Sequence, residues 1–375
     1  SEEAHGKSSF FMASFLYYLS LAIGNVAIAI SAVGYLTPFF PWLGTGAVPL
    51  FIGVVGLIWL TTLANFGGPR ITGQIGTVTV WGVIIPVGML SIIGWFWFKP
   101  DVFAEAWNPH NKAVGDAIAA SIPLTLWAFL GMESAAQNSD AVENPKRNVP
   151  LACLLGTLGA AVIYVLSTTV IQGIVPNAEL AKSSAPFAAV YAQMFNPTIG
   201  KIIMALAVLA CVGSLLGWQF TLSQTSKYTA DGRMFPAFFS KVSAKNAPII
   251  GMVVAGVIQT LMAMSTMSPD ATAQFNKLVN LAAVTNIVPY ITSISALMVV
   301  MYKAKTDKHK FSTNLIAVFV AIIYSTYALY ASGMEAVMGG MIVMMIGYLL
   351  YGFIAKRFVG QEAPGAGMGG AVAQE

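Results

Sequence analysis

One carboxylate in this chain lies well inside a long apolar stretch: Glu133, in the run Trp127-Ala-Phe-Leu-Gly-Met-Glu133-Ser134. The other acidic side chains fall in termini, connections or the rims of apolar segments. In a bilayer core a carboxylate costs roughly 3 kcal/mol on insertion scales. A bound cation or a proton offsets that cost, so the chemistry implied is the holding of positive charge. Gly131, two residues earlier, marks a place where a helix can break and open backbone groups to a cavity. Trp127 and Trp218 also sit near the middle of apolar runs rather than at interfaces. An indole face attracts a cation by about 0.5–2 kcal/mol, and its N–H needs a partner. Each ring alone fits core packing equally well; beside a buried carboxylate the cation reading gains weight.

Other polar groups lie in apolar surroundings. Tyr17, Tyr18 and Asn25 share the first span; Thr285, Asn286 and Tyr290 share a later one, next to Pro289. Such groups line a water-filled path or make interhelical hydrogen bonds. For Asn286 the interhelical bond is the favoured reading. For Tyr17 and Tyr290, gating and packing fit the residue type equally. After Gly131 the sequence turns polar, through Glu133 to Asp140, and reaches Glu143-Asn-Pro-Lys-Arg-Asn-Val-Pro150. An apolar half, a glycine break and a polar half make a discontinuous membrane helix, the device that builds midplane sites in secondary transporters. The competing reading is a helix that simply ends early, with Glu133 at the rim.

The elements that must position these groups follow from composition. The chain is 57% hydrophobic and 9% charged, whereas a soluble domain carries about a quarter charged residues. The expectation is an all-α, polytopic membrane protein. Ten segments are long and apolar enough to span, near 10–37, 47–66, 75–98, 117–138, 149–173, 200–226, 248–267, 275–302, 312–331 and 336–355. Fourteen of the 19 lysines and arginines fall on the side that holds both termini, so that side is expected to be cytoplasmic. Trp42, Trp95, Trp97 and Trp107 cluster towards the other face as an aromatic belt would. The connection 174–199 has room for a short surface helix. The start, without Met or a basic leader, reads as the interior of a longer protein, and the Gly- and Ala-rich tail 360–375 as a flexible extension. Cys153 and Cys211 read as buried thiols, without a disulfide. The histidines, His5, His110 and His309, lie in polar segments, so no metal or other cofactor is expected. The small net charge of +4 gives no reason to expect nucleic acid. No catalytic signature is present, so an enzyme is not expected.

Six stretches carry a resemblance: Asn25–Tyr35, Ala64–Val87, Leu126–Ser134, Val142–Pro150, Gly213–Gln224 and Asn280–Tyr290. On these the chain resembles the polyamine and basic amino acid antiporters of the amino acid–polyamine–organocation superfamily. The resemblance implies a twelve-helix fold with two inverted five-helix repeats, entered here at the third helix, with 1–359 as an incomplete version of the transporter domain. It implies alternating access in the bacterial inner membrane, putrescine and ornithine as exchanged substrates, protons as a coupled ion and a homodimer. Lysine–cadaverine or arginine–agmatine exchange, or a truncated non-transporting fragment, are the alternatives. By resemblance Trp127 and Trp218 are the aromatic substrate contacts and Glu133 the essential acid of a broken helix. Tyr17 and Tyr290 close the path beside the ligand, and Asn25 is a polar contact. Tyr351 is tied to polyamine transport, and Glu2 falls near an acidic position of the putrescine branch. Ala282 replaces a hydroxyl of the arginine–agmatine branch and leans away from arginine.

Overall fold

No water pairs the backbone inside a bilayer, so a spanning segment must satisfy its own N–H and C=O groups as a helix or a closed barrel. The computed structural model describes residues 2–131, 144–183 and 185–356, with side chains from residue 4 onward. Glu133, the side chain of Glu2 and the tail from Gly360 lie outside the described residues. Among the described residues every regular element is a helix. The elements are α1 (Glu2–Leu36), α2 (Ala47–Asn65), α3 (Pro69–Thr79), α4 (Trp81–Ile93), α5 (Pro100–Trp107), α6 (Val114–Phe129) and α7 (Pro145–Ile174). They continue as α8 (Asn177–Leu180), α9 (Pro186–Met194), α10 (Pro197–Asp231), α11 (Ile249–Ser265), α12 (Ala271–Lys303), α13 (Lys308–Ala331) and α14 (Met334–Ala355).

Eight stretches of the described residues are long and apolar enough to cross a membrane, with α3 and α4 counted together as Pro69–Trp97. The shorter apolar helices α6 and α11 complete the ten segments read from the sequence. The chain is an all-α, multi-pass membrane protein. The boundaries moved where local chemistry decides them. Pro145 opens α7 four residues before the expected 149, because proline at the first helical position loses no hydrogen bond. Asn196 starts α10, its Oδ1 accepting the Ile199 N–H at 3.0 Å. Asp270 starts α12 by accepting the N–H groups of Thr272 and Ala273 at 2.9 and 3.1 Å. The hydroxyls of Thr61, Thr62, Ser223 and Thr229 donate to carbonyls one turn back in their own helices, which satisfies them in apolar surroundings.

α1 is the central helix. It runs along α12 and α10, and its Val26, Ala27, Ala29 and Val33 are sealed from solvent. Small side chains on that helix let neighbouring backbones approach. Ile23 and Ile30 pack with Val54 and Ile58 of α2, Leu215 of α10 and Leu278 of α12. Nearer its start, Phe11 and Leu16 pack with Leu222, Met234 and Phe235. The connection 174–199 holds two helices, and α9 is docked rather than lying free on the surface. Its Val190, Tyr191 and Met194 are buried, and the Tyr191 hydroxyl donates to the Pro86 carbonyl at 2.6 Å. Cys153 and Cys211 are not joined in a disulfide and are half-buried rather than sealed.

Candidate functional site

The expected span 117–138 does not run through as one helix. α6 ends at Phe129, Leu130 is extended (ψ 142), and Gly131 has φ +105. That positive φ suits glycine and strains any residue with a Cβ. Space argues the same way: a methyl on Gly131 would lie 2.6 Å from Cη2 of Trp218. The helix therefore breaks against the edge of an indole. Helix termination leaves the last carbonyls without N–H partners. The Ala128 carbonyl lies in this last turn, and the Tyr164 hydroxyl of α7 donates to it at 3.1 Å. The Tyr164 ring also meets Phe129 edge-on at 5.3 Å.

Below this break lies a cavity of about 500 Å³, within the size range of small-molecule sites. α1 contributes Ser20, Gly24, Asn25 and Ile28; α6 contributes Trp127 and the turn to Gly131. Tyr164 comes from α7, Ser214 and Trp218 from α10, and Asn286 from α12. The cavity thus gathers three of the expected side chains, Asn25, Trp127 and Trp218. Trp127 is braced edge-on by Phe275, with centroids 5.5 Å apart. Among the described residues the wall carries no formal charge. It offers π faces, amides and hydroxyls, an arrangement that suits a cation whose counter-charge is supplied by a neighbouring group. A second cavity, of about 570 Å³, is lined by Thr37, Lys182 and Asp270. It holds none of the expected site residues, and both of its charged side chains are exposed.

Two buried polar networks support the wall. Asn25 donates to Gln219 at 3.5 Å, and Gln219 and Gln259 exchange hydrogen bonds at 2.5 and 3.0 Å. The Gln259 side chain is completely buried. Asn65 of α2 donates to the Leu216 carbonyl at 2.9 Å, so α10 is held on both sides of Trp218. On the other side of α1, Ser20 donates to the Ala282 carbonyl and accepts from Asn286, each at 3.0 Å. Sequence reasoning missed Ser20, Tyr164, Gln219 and Gln259. Polar residues facing each other across 40 or more positions have no local signature.

The remaining expected residues fall elsewhere. Tyr17 and Tyr290 are half-buried and outside the described wall; Tyr17 packs in the cluster of Phe11 and Leu222. Tyr351 lies against Phe11, with ring centroids 5.5 Å apart. Ala282 is buried and meets Ser20 through its backbone. Glu133 and the Glu2 side chain lie outside the described residues.

The amino acid permease family model matches residues 1–352. The putrescine transporter PotE of Escherichia coli strain K12 is 54% identical over 360 residues, covering 96% of this chain and 81% of that protein. The putrescine transporter PotE of Haemophilus influenzae is 52% identical over 360 residues, 96% of this chain and 82% of that protein. The cadaverine/lysine antiporter of Escherichia coli strain K12 is 36% identical over 288 residues, 76% of this chain and 65% of that protein. These relatives are transport proteins rather than enzymes. A family match over nearly the whole chain, relatives more than half identical and the bundle of apolar helices together place this chain in the amino acid permease family of multi-pass membrane transporters.

Proposed function

We propose that this protein carries putrescine across the bacterial inner membrane by alternating access, exchanging it for ornithine. The observation that carries this reading is the cavity lined by Trp127 and Trp218 beside a helix break, whose described wall carries no formal charge. The greater similarity to putrescine transporters (54%) than to a cadaverine/lysine antiporter (36%) supports the choice of diamine. On this reading the diamine lies between the two indoles, and one ammonium pairs with Glu133, two residues beyond Gly131 in sequence. Low effective dielectric makes that pair stronger than it is in water. An ionised Glu133 without a ligand is costly, so a proton takes the ligand's place when the carrier is empty. Proton-coupled putrescine entry follows as a second mode. Tyr17 and Tyr290 gate the path, and Tyr351, near the end of the last helix, acts on polyamine movement. Both termini of the chain face the cytoplasm, a reading supported by the bias of lysine and arginine. A homodimer belongs to the same reading and is checked by cross-linking in membranes.

The test is Glu133→Gln, assayed as labelled putrescine exchange in proteoliposomes. Loss of the counter-charge is expected to lower exchange by about 100-fold, the order of a removed buried charge pair. Near-normal exchange by this variant removes the central claim. Competition by ornithine, lysine and arginine, and by their decarboxylated diamines, separates putrescine–ornithine exchange from the other pairs.

A further inference from the structure

Asn286 is only 2% exposed and sits in the cavity wall on α12. The orientation of its amide is settled by Ser20. That hydroxyl has one proton, and it goes to the Ala282 carbonyl, a group that can only accept. Ser20 is left with lone pairs to offer, so the group facing it must be a donor, and Asn286 Nδ2 meets it at 3.0 Å. The carbonyl end of the amide is therefore turned away from Ser20. Asn286 Oδ1 is closed off from solvent and has no donor. Buried acceptors without partners are rare in native chains, and each calls for an explanation. This one belongs to a residue that lines the cavity holding both indoles.

An acceptor whose amide nitrogen is tied back into the protein suits a primary ammonium, which has three donors and no acceptor. It opposes a carboxylate. We propose that Asn286 becomes a ligand contact: when the side chains around the sealed amide shift to admit the ligand, its Oδ1 receives an N–H from the diamine's second ammonium, the one not paired with Glu133. The contact selects a diamine over a monoamine of the same length. This assignment rests on the putrescine reading above. It also changes the role first given to Asn286: the amide N–H makes the interhelical bond, and the carbonyl serves the ligand.

The experiment measures binding of putrescine and of n-butylamine to the full chain in nanodiscs. Asn286→Leu is expected to weaken putrescine about tenfold, the scale of one charge-assisted hydrogen bond, and to leave butylamine within about twofold. Ser20→Ala keeps the amide but releases its orientation. It is expected to weaken putrescine about threefold, again without changing butylamine, and it decides the matter if N286L fails to fold. Equal losses for both amines, or no loss for either, overturn the role of Asn286 while leaving the putrescine reading in place. A wild-type chain that binds neither amine overturns both.

Discussion

Behind the cavity wall formed by α1, α10 and α12 the side-chain amides are buried and tied to one another, whereas in the wall formed by the end of α6 and the middle of α7 the polar contact is an exposed phenol on a backbone carbonyl. On the first side Asn25, Gln219, Gln259 and Asn286 are each 3% exposed or less. On the second, Tyr164 is 38% exposed, and its neighbours on α7, Leu154, Leu155 and Leu158, are 58%, 59% and 54% exposed. Both sides come from long apolar helices, so hydropathy does not separate them. The difference lies in where polar atoms find partners. Interhelical amide pairs fix the first wall to a frame of several helices. In the second, the Tyr164 phenol donates to a carbonyl in the last turn of α6. On the proposed alternating-access reading, the first wall is the frame and the second the part free to rearrange.

The sharpest way to break this contrast is Gly131→Ala. The substitution puts a Cβ on a residue with φ +105 and drives it to 2.6 Å from the Trp218 ring. Left-handed strain alone is about 1–2 kcal/mol, and the overlap adds to it. Putrescine exchange is expected to fall at least about 30-fold, with the protein still inserted in the membrane. Exchange within a factor of about two of wild type would mean that the turn does not set the position of the indole. The frame side is probed by Gln259→Leu, which removes both hydrogen bonds of the reciprocal pair and takes the acceptor from Gln219 Nε2, while Gln219 Oε1 keeps Asn25 as a donor. Interhelical hydrogen bonds in membranes average well below their nominal strength, so the expected destabilisation is about 1–2 kcal/mol. A lowered unfolding midpoint in detergent registers it. An unchanged midpoint would show that the amide pair does not tie the frame together.

The spans and the break were legible in the sequence for physical reasons. A bilayer demands about 20 apolar residues per helix, and Gly131 supplies a conformation that other residues avoid. What the sequence concealed was partnership. Nothing local distinguishes α1, whose Val26 and Ala27 are fully sealed, from α7, whose leucines face outward. Both read as apolar helices, and only tertiary packing decides which becomes the centre. The short helix α5 escaped because its apolar face is too brief to show a period; a helix in 174–199 was expected, but not that α9 docks through Val190, Tyr191 and Met194. Tyr164 looked like any tyrosine in a span until folding set its hydroxyl against the Ala128 carbonyl. Asn286 was read through its donor, and its acceptor has no signature in sequence.

The smallest effect tests the weaker wall. Tyr164→Phe keeps the ring and its edge-on contact with Phe129 and deletes only the hydroxyl that donates to the Ala128 carbonyl. Because Tyr164 is 38% exposed, removing the phenol does not create a sealed cavity, and no packing penalty is expected. What remains is one carbonyl at a helix end without its partner, about 1 kcal/mol. That corresponds to about a fivefold change in an equilibrium between wall conformations. The loss should appear in the exchange rate at low putrescine, with the unfolding midpoint moving less than in Gln259→Leu. The reverse pattern, a large drop in midpoint with exchange intact, would make Tyr164 part of the frame and reverse the assignment of the two walls.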